Sequence, residues 1–363
     1  MSEVIKMAKP DIKSVLKHFN VDNDGDAYGN GHINETYIVQ PMFIVQKINT
    51  NVFTKPDELM NNIVNVTEFL KKKIIADGGD PMRETLTVIP TNEGHSYYKS
   101  SDGGCYRCYE FIRDSLAIET VENPEDLYEA AKSFALFQKR LSDYPAEELA
   151  ETIKDFHNTP KRFENLLQAI ENDEKGRKAS VGDEIEFALA QKDWIDTVTN
   201  GLGDGSIPLR VTHNDTKINN VLFDYKTRKG LCVIDLDTVM PGSLLYDIGD
   251  ALRIGAATGA EDETDLDKIW FNLESFEAFV KGFAEESKDT LTAKEIELIP
   301  ISAMLMTYEC GIRFLTDYLN GDTYFRIHRE HHNLDRCRTQ FKLVKDMFTK
   351  SDEMKKIVDK YFN

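Results

Sequence analysis

Along the first third of the chain, apolar and polar positions alternate in short runs divided by glycine- and asparagine-containing stretches, a period-2 pattern that predicts strands at 37–39, 42–48, 85–90 and 106–112. Helical spacing appears there twice, over 9–19 and 57–73. From Asn123 the period changes. Asn123 is placed to cap a helix, Pro124 suits its first position, and Glu125 and Asp126 suit its positive end. Leu127, Ala131, Phe134, Phe137 and Leu141 then recur at helical spacing. Further helices are predicted at 161–174, 183–200, 247–257, 272–286, 293–319 and 334–360. The block 207–239 interrupts them with β runs at 211–212, 221–223 and 231–236, and 225–230 reads as a hairpin loop. The expected fold is α+β, with a small β-rich N-terminal lobe (1–112) and a large, mostly helical C-terminal lobe (113–363).

The chain has 363 residues, enough at ~100–200 residues per domain for two lobes. With 44 Lys+Arg against 63 Asp+Glu its net charge is −19, which argues against partners that need a basic face, nucleic acid and anionic membranes among them. No leader-like apolar core opens the sequence, and no run reads as a membrane helix. Five cysteines fit a reducing cytoplasm better than a disulfide framework. Cys105 and Cys108 have CxxC spacing, but on a strand positions i and i+3 face opposite sides, so a structural role is expected for both.

The chemistry concentrates in Val211-Thr-His-Asn-Asp-Thr-Lys-Ile-Asn-Asn-Val-Leu-Phe-Asp224 and Val233-Ile-Asp-Leu-Asp237. A strand ends in His213-Asn214-Asp215, Asn220 follows five residues after Asp215, and a second apolar strand delivers Asp235. Phosphoryl transfer explains this spacing: one carboxylate meets the nucleophilic hydroxyl, while an amide oxygen and a second carboxylate hold Mg2+ on the nucleotide phosphates.

These residues resemble the catalytic motif His-x-Asp-x-x-x-x-Asn, with a following Ile-Asp, of the aminoglycoside-phosphotransferase and choline-kinase superfamily, whose fold is a variant of the protein-kinase fold. Other phrases resemble the N-acetylhexosamine kinases of that superfamily: Tyr28-Gly-Asn-Gly-His-Ile-Asn34, Gly205 to Lys217, Met240-Pro-Gly-Ser243, Glu309-Cys-Gly-Ile-Arg-Phe-Leu315, Asp317-Tyr-Leu-Asn-Gly-Asp322 and Tyr324-Phe325. The resemblance implies a bilobal kinase that uses ATP and Mg2+ to phosphorylate the anomeric hydroxyl of an N-acetylhexosamine. Asp215 is then the base or orienter, Asn220 and Asp235 the Mg2+ ligands, and His213 a brace of the loop. Lys217 approaches the transferred phosphate, or is simply solvated. Asp237, on the same strand face as Asp235, acts behind the metal site, and Asp247 and Asp250 cap a helix and brace the loop. Gly29 and Gly31 frame a phosphate-approaching turn. His32 is implied at the sugar, Asn34 borders the same turn, and Tyr109 to Ile112, with Phe111, form the adenine hinge.

One departure stands out. Where relatives carry a lysine on the third strand, this chain has Gln46, with Lys47 next to it on the opposite face, so either one is the ATP-facing residue. Glu58 and Glu68 read as surface glutamates rather than partners for that lysine. Arg313 lies four residues from both Glu309 and Asp317, which suits an intrahelical ion pair; the resemblance implies a sugar contact instead, shared with Tyr324. Phe314, Leu315 and Tyr318 read as core. The rival readings are another small-molecule kinase of the same fold, acting on choline, homoserine, methylthioribose or an aminoglycoside, and a non-catalytic nucleotide-binding pseudokinase.

Overall fold

The computed structural model describes residues 12–19, 21, 25–27, 34–39, 43–121 and 123–363. The chain falls into two compact units, Met1–Asp114 and Ser115–Asn363.

In the first unit, α1 (Ile12–Leu16) continues into a 3-10 turn, Lys17–Phe19. The strands are β1 (Asp26–Ala27), β2 (Glu35–Val39), β3 (Phe43–Ile48), β4 (Val88–Ile89), β5 (Tyr98–Lys99) and β6 (Cys105–Glu110). They form an antiparallel sheet in the order β1-β2-β3-β6-β4, with β5 also paired to β6. Val15, Leu16 and Phe19 pack with Val39, Val45, Tyr106 and Cys108 in one apolar cluster. The helices α2 (Pro56–Ala76) and α3 (Pro81–Glu84) both start on a proline, and α2 buries Leu59, Ile63, Val66, Leu70 and Ile74 along one stripe. Cys105 and Cys108 are buried free thiols on β6, as their spacing implied, and burial pushes the Cys108 thiol up to about 12. Burial, the larger cause, raises the Cys105 thiol as well.

The second unit is mostly helical. Its helices are α4 (Pro124–Arg140), α5 (Thr159–Asn172), α6 (Gly182–Leu189), α7 (Thr197–Asp204), α8 (Leu244–Gly255), α9 (Leu273–Ser287), α10 (Ala293–Asn320), α11 (His332–Thr349) and α12 (Ser351–Phe362). The Asn123 side chain accepts the Asp126 N–H at the start of α4, as anticipated. Strands β7 (Ser115–Ala117), β9 (Val221–Asp224) and β10 (Gly230–Val233) make one small sheet, and β8 (Arg210–Thr212) pairs antiparallel with β11 (Met240–Gly242). The core lies where α5, α8, α10 and α11 meet, around Leu166, Leu245, Tyr308, Ile312, Leu315, Phe341 and Val344.

Two predicted helices are each split. The 183–200 segment breaks between Leu189 and Thr197, where Asp193 and Asp196 favour turn and cap geometry over a helix interior. The 334–360 segment breaks at Lys350, whose ammonium donates to the Phe271 carbonyl and to Asp346 while Ser351 starts a new helix. The short strands β1, β5, β7 and β11 have too few residues to display a period. Helix α10 is long and apolar enough to cross a membrane, contrary to expectation, but 89% of its apolar window is buried in the folded chain, so it is a core helix. It opens on a capping box of Thr292 and Glu295 and ends at Gly321, whose φ of +98° is a left-handed cap that a β-carbon would strain.

Helix α8 is pressed closely onto α10. A β-carbon at Gly249 would lie 2.3 Å from the Ser302 carbonyl oxygen and 2.5 Å from Met306 Cγ. A backbone oxygen on a long helix cannot swing aside, so Gly249→Ala is expected to lower the unfolding free energy by about 1–3 kcal/mol, read as a reduced midpoint in urea with an unchanged slope.

Candidate active site

The site is built on a loop between β8 and β9. Strand β8 is fixed at its start by Arg210, whose guanidinium makes two hydrogen bonds, 2.6 and 2.8 Å, to the fully buried Glu295 that caps α10. At its other end the chain turns sharply. Asn214 has a φ of +65°, a left-handed conformation that asparagine tolerates because its short amide finds local partners. Here that amide donates to the carbonyls of Thr238, at 2.8 Å, and Thr212.

Two carboxylates of α8 hold the turn from behind. Asp247 accepts the backbone N–H of His213 at 2.9 Å and of Asn214 at 2.7 Å, together with the Gln138 amide at 2.5 Å. Asp250 accepts the Thr216 N–H at 3.0 Å, and the Thr216 hydroxyl donates to the Asp247 carbonyl. Bracing by these two residues follows the expectation, but capping does not: both lie inside α8, and its cap is Ser243. Burial opposes the Asp250 charge, yet Arg253, His157 and Lys217 outweigh it and hold the carboxyl below its ordinary range.

Between these supports Asp215 presents its carboxylate. Lys217 Nζ lies 2.9 Å from Oδ1, and the Asn220 amide donates to Oδ2 at 3.2 Å and to the Asp215 carbonyl at 2.7 Å. Burial works against the Lys217 charge, but Asp215, Asp250 and Asp235 prevail and raise its pKa above the usual lysine value. His213 is fully buried; its Nε2 donates to the Ile234 carbonyl at 2.9 Å, and its Nδ1 accepts from the Asp215 N–H. The Ile234 N–H bonds the Asn220 carbonyl at 2.9 Å, which seats Asp235 beside Asn220. The predicted cluster His213, Asp215, Lys217, Asn220 and Asp235 is therefore one local construction.

Asp235 and Asp237 do not share a strand face. Strand β10 stops at Val233, Asp235 is left-handed with a φ of +60°, and Leu236–Thr238 is a 3-10 turn that buries Asp237. The alternation argument fails because the strand ends before it applies.

As a site for Mg2+ the donor chemistry fits. With its amide nitrogen turned to Asp215, Asn220 keeps Oδ1 for a metal, and the Ile234–Asn220 backbone bond brings Asp235 into the same stretch of chain. No group of three or more His, Cys, Asp or Glu able to hold a metal occurs among the described residues. Two hard oxygen ligands without a closed cage suit an ion that keeps water and phosphate oxygens as its remaining ligands.

A cavity of about 660 Å3 opens between α5, α10 and the loop after α10, lined in part by Arg162, Arg313, Thr316, Tyr324 and Phe325. The intrahelical ion pair considered for Arg313 does not form. Glu309 is taken by His157, at 2.8 Å, and Thr159, at 2.6 Å, and Asp317 accepts the N–H groups of Thr323, Tyr324 and Phe325. The Arg313 guanidinium instead stacks on Phe156 and Phe325, 5.6 and 5.5 Å from their ring centres. Arg162 donates to the Phe156 carbonyl, and burial, then the neighbouring Arg313 charge, push its pKa down. Phe314, Leu315 and Tyr318 are core, as read from the sequence.

In the first unit Gln46 accepts two hydrogen bonds, 3.0 and 2.8 Å, from the fully buried Arg107 and donates to Thr36, a ladder across β2, β3 and β6. Lys47 faces the other side, 3.6 Å from Glu35. Tyr109 is buried near the end of β6, and Phe111 follows that strand. Asn34 accepts the Asn49 N–H, while Glu58 and Glu68 pair on the surface with Lys55 and Lys71. Gly29, Gly31 and His32 lie outside the described residues. Sequence reasoning missed Arg107, His157 and Arg162, which carry no local motif. For the role of Glu309 there was a signal, a lone carboxylate in an apolar helix run.

Comparison with known proteins gives one family model, described as a phosphotransferase enzyme family, matching residues 28–279. Solved structures share the architecture at low identity. A microcompartment-associated aminopropanol kinase superposes with a TM-score of 0.64 at 15% identity, covering 95% of this chain and 98% of its own. An aminoglycoside phosphotransferase from Alicyclobacillus acidocaldarius gives 0.63 at 12%, covering 99% of each chain. Amicoumacin kinase, in complex with AMP-PNP and Ca2+, gives 0.55 at 13%, covering 93% of this chain and 88% of its own. The kinase-like fold expected from the sequence is the fold found.

Asp247→Asn would turn an amide N–H toward a backbone N–H in a buried setting. It is expected to cost about 1–3 kcal/mol in a urea unfolding curve, with slowed turnover in the folded fraction.

Proposed function

The chain belongs to the phosphotransferase enzyme family, and on that premise we propose that it transfers the γ-phosphoryl group of ATP to the anomeric hydroxyl of an N-acetylhexosamine in the cytoplasm, giving the sugar 1-phosphate. The observation that carries the choice of acceptor is the freed Arg313 guanidinium at the cavity, with Arg162 beside it. Two guanidinium groups repel an ammonium-bearing acceptor and offer N–H donors to hydroxyl and amide oxygens. Choline and aminoglycosides are disfavoured for that reason, although related proteins include an aminopropanol kinase and an aminoglycoside phosphotransferase.

In this reading Arg313 and Tyr324, with His32, hold the sugar so that its O1 meets Asp215. An anomeric hydroxyl is more acidic than an ordinary alcohol, so Asp215 accepts its proton without special activation, an effect worth roughly 10²–10⁴-fold. Lys217, already paired with Asp215, keeps that carboxylate aligned and brings positive charge toward the transferred group. Asn220 and Asp235 would hold Mg2+, which when bound neutralises charge on the phosphates. Of the two strand residues, Lys47, whose ion pair is long and partly exposed, is more available to ATP than Gln46, which is tied to Arg107. Gly29, Gly31, Tyr109 and Phe111 complete the proposed nucleotide contacts. A pseudokinase is disfavoured because Asp215, Asn220 and Asp235 are all present.

The test is an ADP-release panel of N-acetylglucosamine, N-acetylgalactosamine, choline, methylthioribose and kanamycin, with the phosphate position on the product assigned by NMR. Sugar turnover with a 1-phosphate product is expected; turnover of the cations alone overturns the acceptor assignment. Asp215→Asn is expected to keep the thermal midpoint and Mg-ATP binding while kcat falls by roughly 10²–10⁴-fold. Unaltered turnover in that variant would remove Asp215 from the chemistry.

A further inference from the structure

His157 lies between the cavity and the catalytic loop. It is 8% exposed, and both ring nitrogens face oxygen acceptors: Nδ1 is 2.8 Å from Glu309 Oε1, and Nε2 is 3.1 Å from the Asn214 carbonyl. A neutral imidazole carries one N–H and satisfies only one such acceptor, whereas an imidazolium satisfies both. The Thr159 hydroxyl donates to the other Glu309 oxygen, which leaves Nδ1 facing an ionised carboxylate. Burial opposes that charge, but His157, Arg313 and Thr159 outweigh it and keep the Glu309 carboxyl below its ordinary range. On the cavity side the His157 ring packs against Phe156, 4.5 Å between centres, and Phe156 is the platform under the Arg313 guanidinium. On the other side the Asn214 carbonyl joins the left-handed residue to Asp215.

We propose that His157 is a positioning residue, a doubly donating clamp that fixes the Asn214 carbonyl and carries the state of the cavity, through Phe156, to Asp215. The transmission half rests on reading the cavity as the acceptor site; the clamp half does not. Losing N–H groups that bind a carboxylate and a strained turn misplaces Asp215 while leaving nucleotide binding to other residues.

Long-range 1H–15N spectra of the full-length chain with labelled histidine test the clamp directly, the His157 signal being assigned through His157→Phe among the eight histidines. Two protonated ring nitrogens are expected; a single protonated nitrogen overturns the clamp whatever the acceptor is. Addition of the acceptor that the wild type turns over is expected to shift the His157 signals, and unmoved signals at saturation overturn the transmission. His157→Phe, checked for folding by its thermal midpoint, is expected to lose roughly tenfold to a hundredfold in kcat with KM for ATP within about twofold. An undiminished kcat overturns the positioning role. Should no sugar be turned over by the wild type, the proposed function falls alone, because the spectrum without ligand still decides the clamp.

Discussion

One buried carboxylate, Asp247, sets the geometry on which the second unit's chemistry depends. It gathers three donors, the N–H groups of His213 and Asn214 and the amide of Gln138, and so joins α8, α4 and the catalytic loop at one point. A left-handed asparagine costs of order 1–3 kcal/mol, and such a turn persists only when its surroundings over-determine it. Asp247, the Thr238 carbonyl and the close seat of α8 on α10 do so here. Asp215, Lys217 and Asn220 inherit their positions from that arrangement.

The overall charge of −19 says little about this local field. Around the loop, two acidic groups have a basic partner, Asp250 with Arg253 and Asp215 with Lys217, while Asp247 is held by neutral donors alone and burial raises its pKa. At the cavity the balance reverses, because Asp317 spends its oxygens on backbone N–H groups and Glu309 turns toward His157, which leaves Arg313 on aromatic faces. An acidic protein thus presents a locally basic recess. The sign of the net charge and the sign at a ligand site are independent quantities.

Much of this was legible from the chain because the information was local. The cap at Asn123, the stripe of α4, the hairpin β9–β10 and the offsets from His213 to Asn220 each involve residues within a few turns of chain. What was not legible depends on distant partners. Arg107 meets Gln46 across 61 positions and His157 meets Glu309 across 152, with no spacing rule to connect them. The Asp235–Asp237 alternation failed for a related reason: where β10 ends is decided by the left-handed turn and its neighbours rather than by the apolar run itself. The single long helices read at 183–200 and 334–360 failed because polar turn residues outweighed continuing periodicity.

The grip of α8 on the catalytic loop has a consequence for how such a protein diversifies. Asp247 and Asp250 hold N–H groups at 213, 214 and 216, and every residue type except proline carries that group. The N–H contacts are therefore indifferent to the side chains they support, apart from the left-handed turn at 214, which favours asparagine or glycine. Acceptor-facing residues are free to drift with the substrate while the phosphoryl-handling backbone keeps its shape, which separates inheritance of the reaction from inheritance of its specificity.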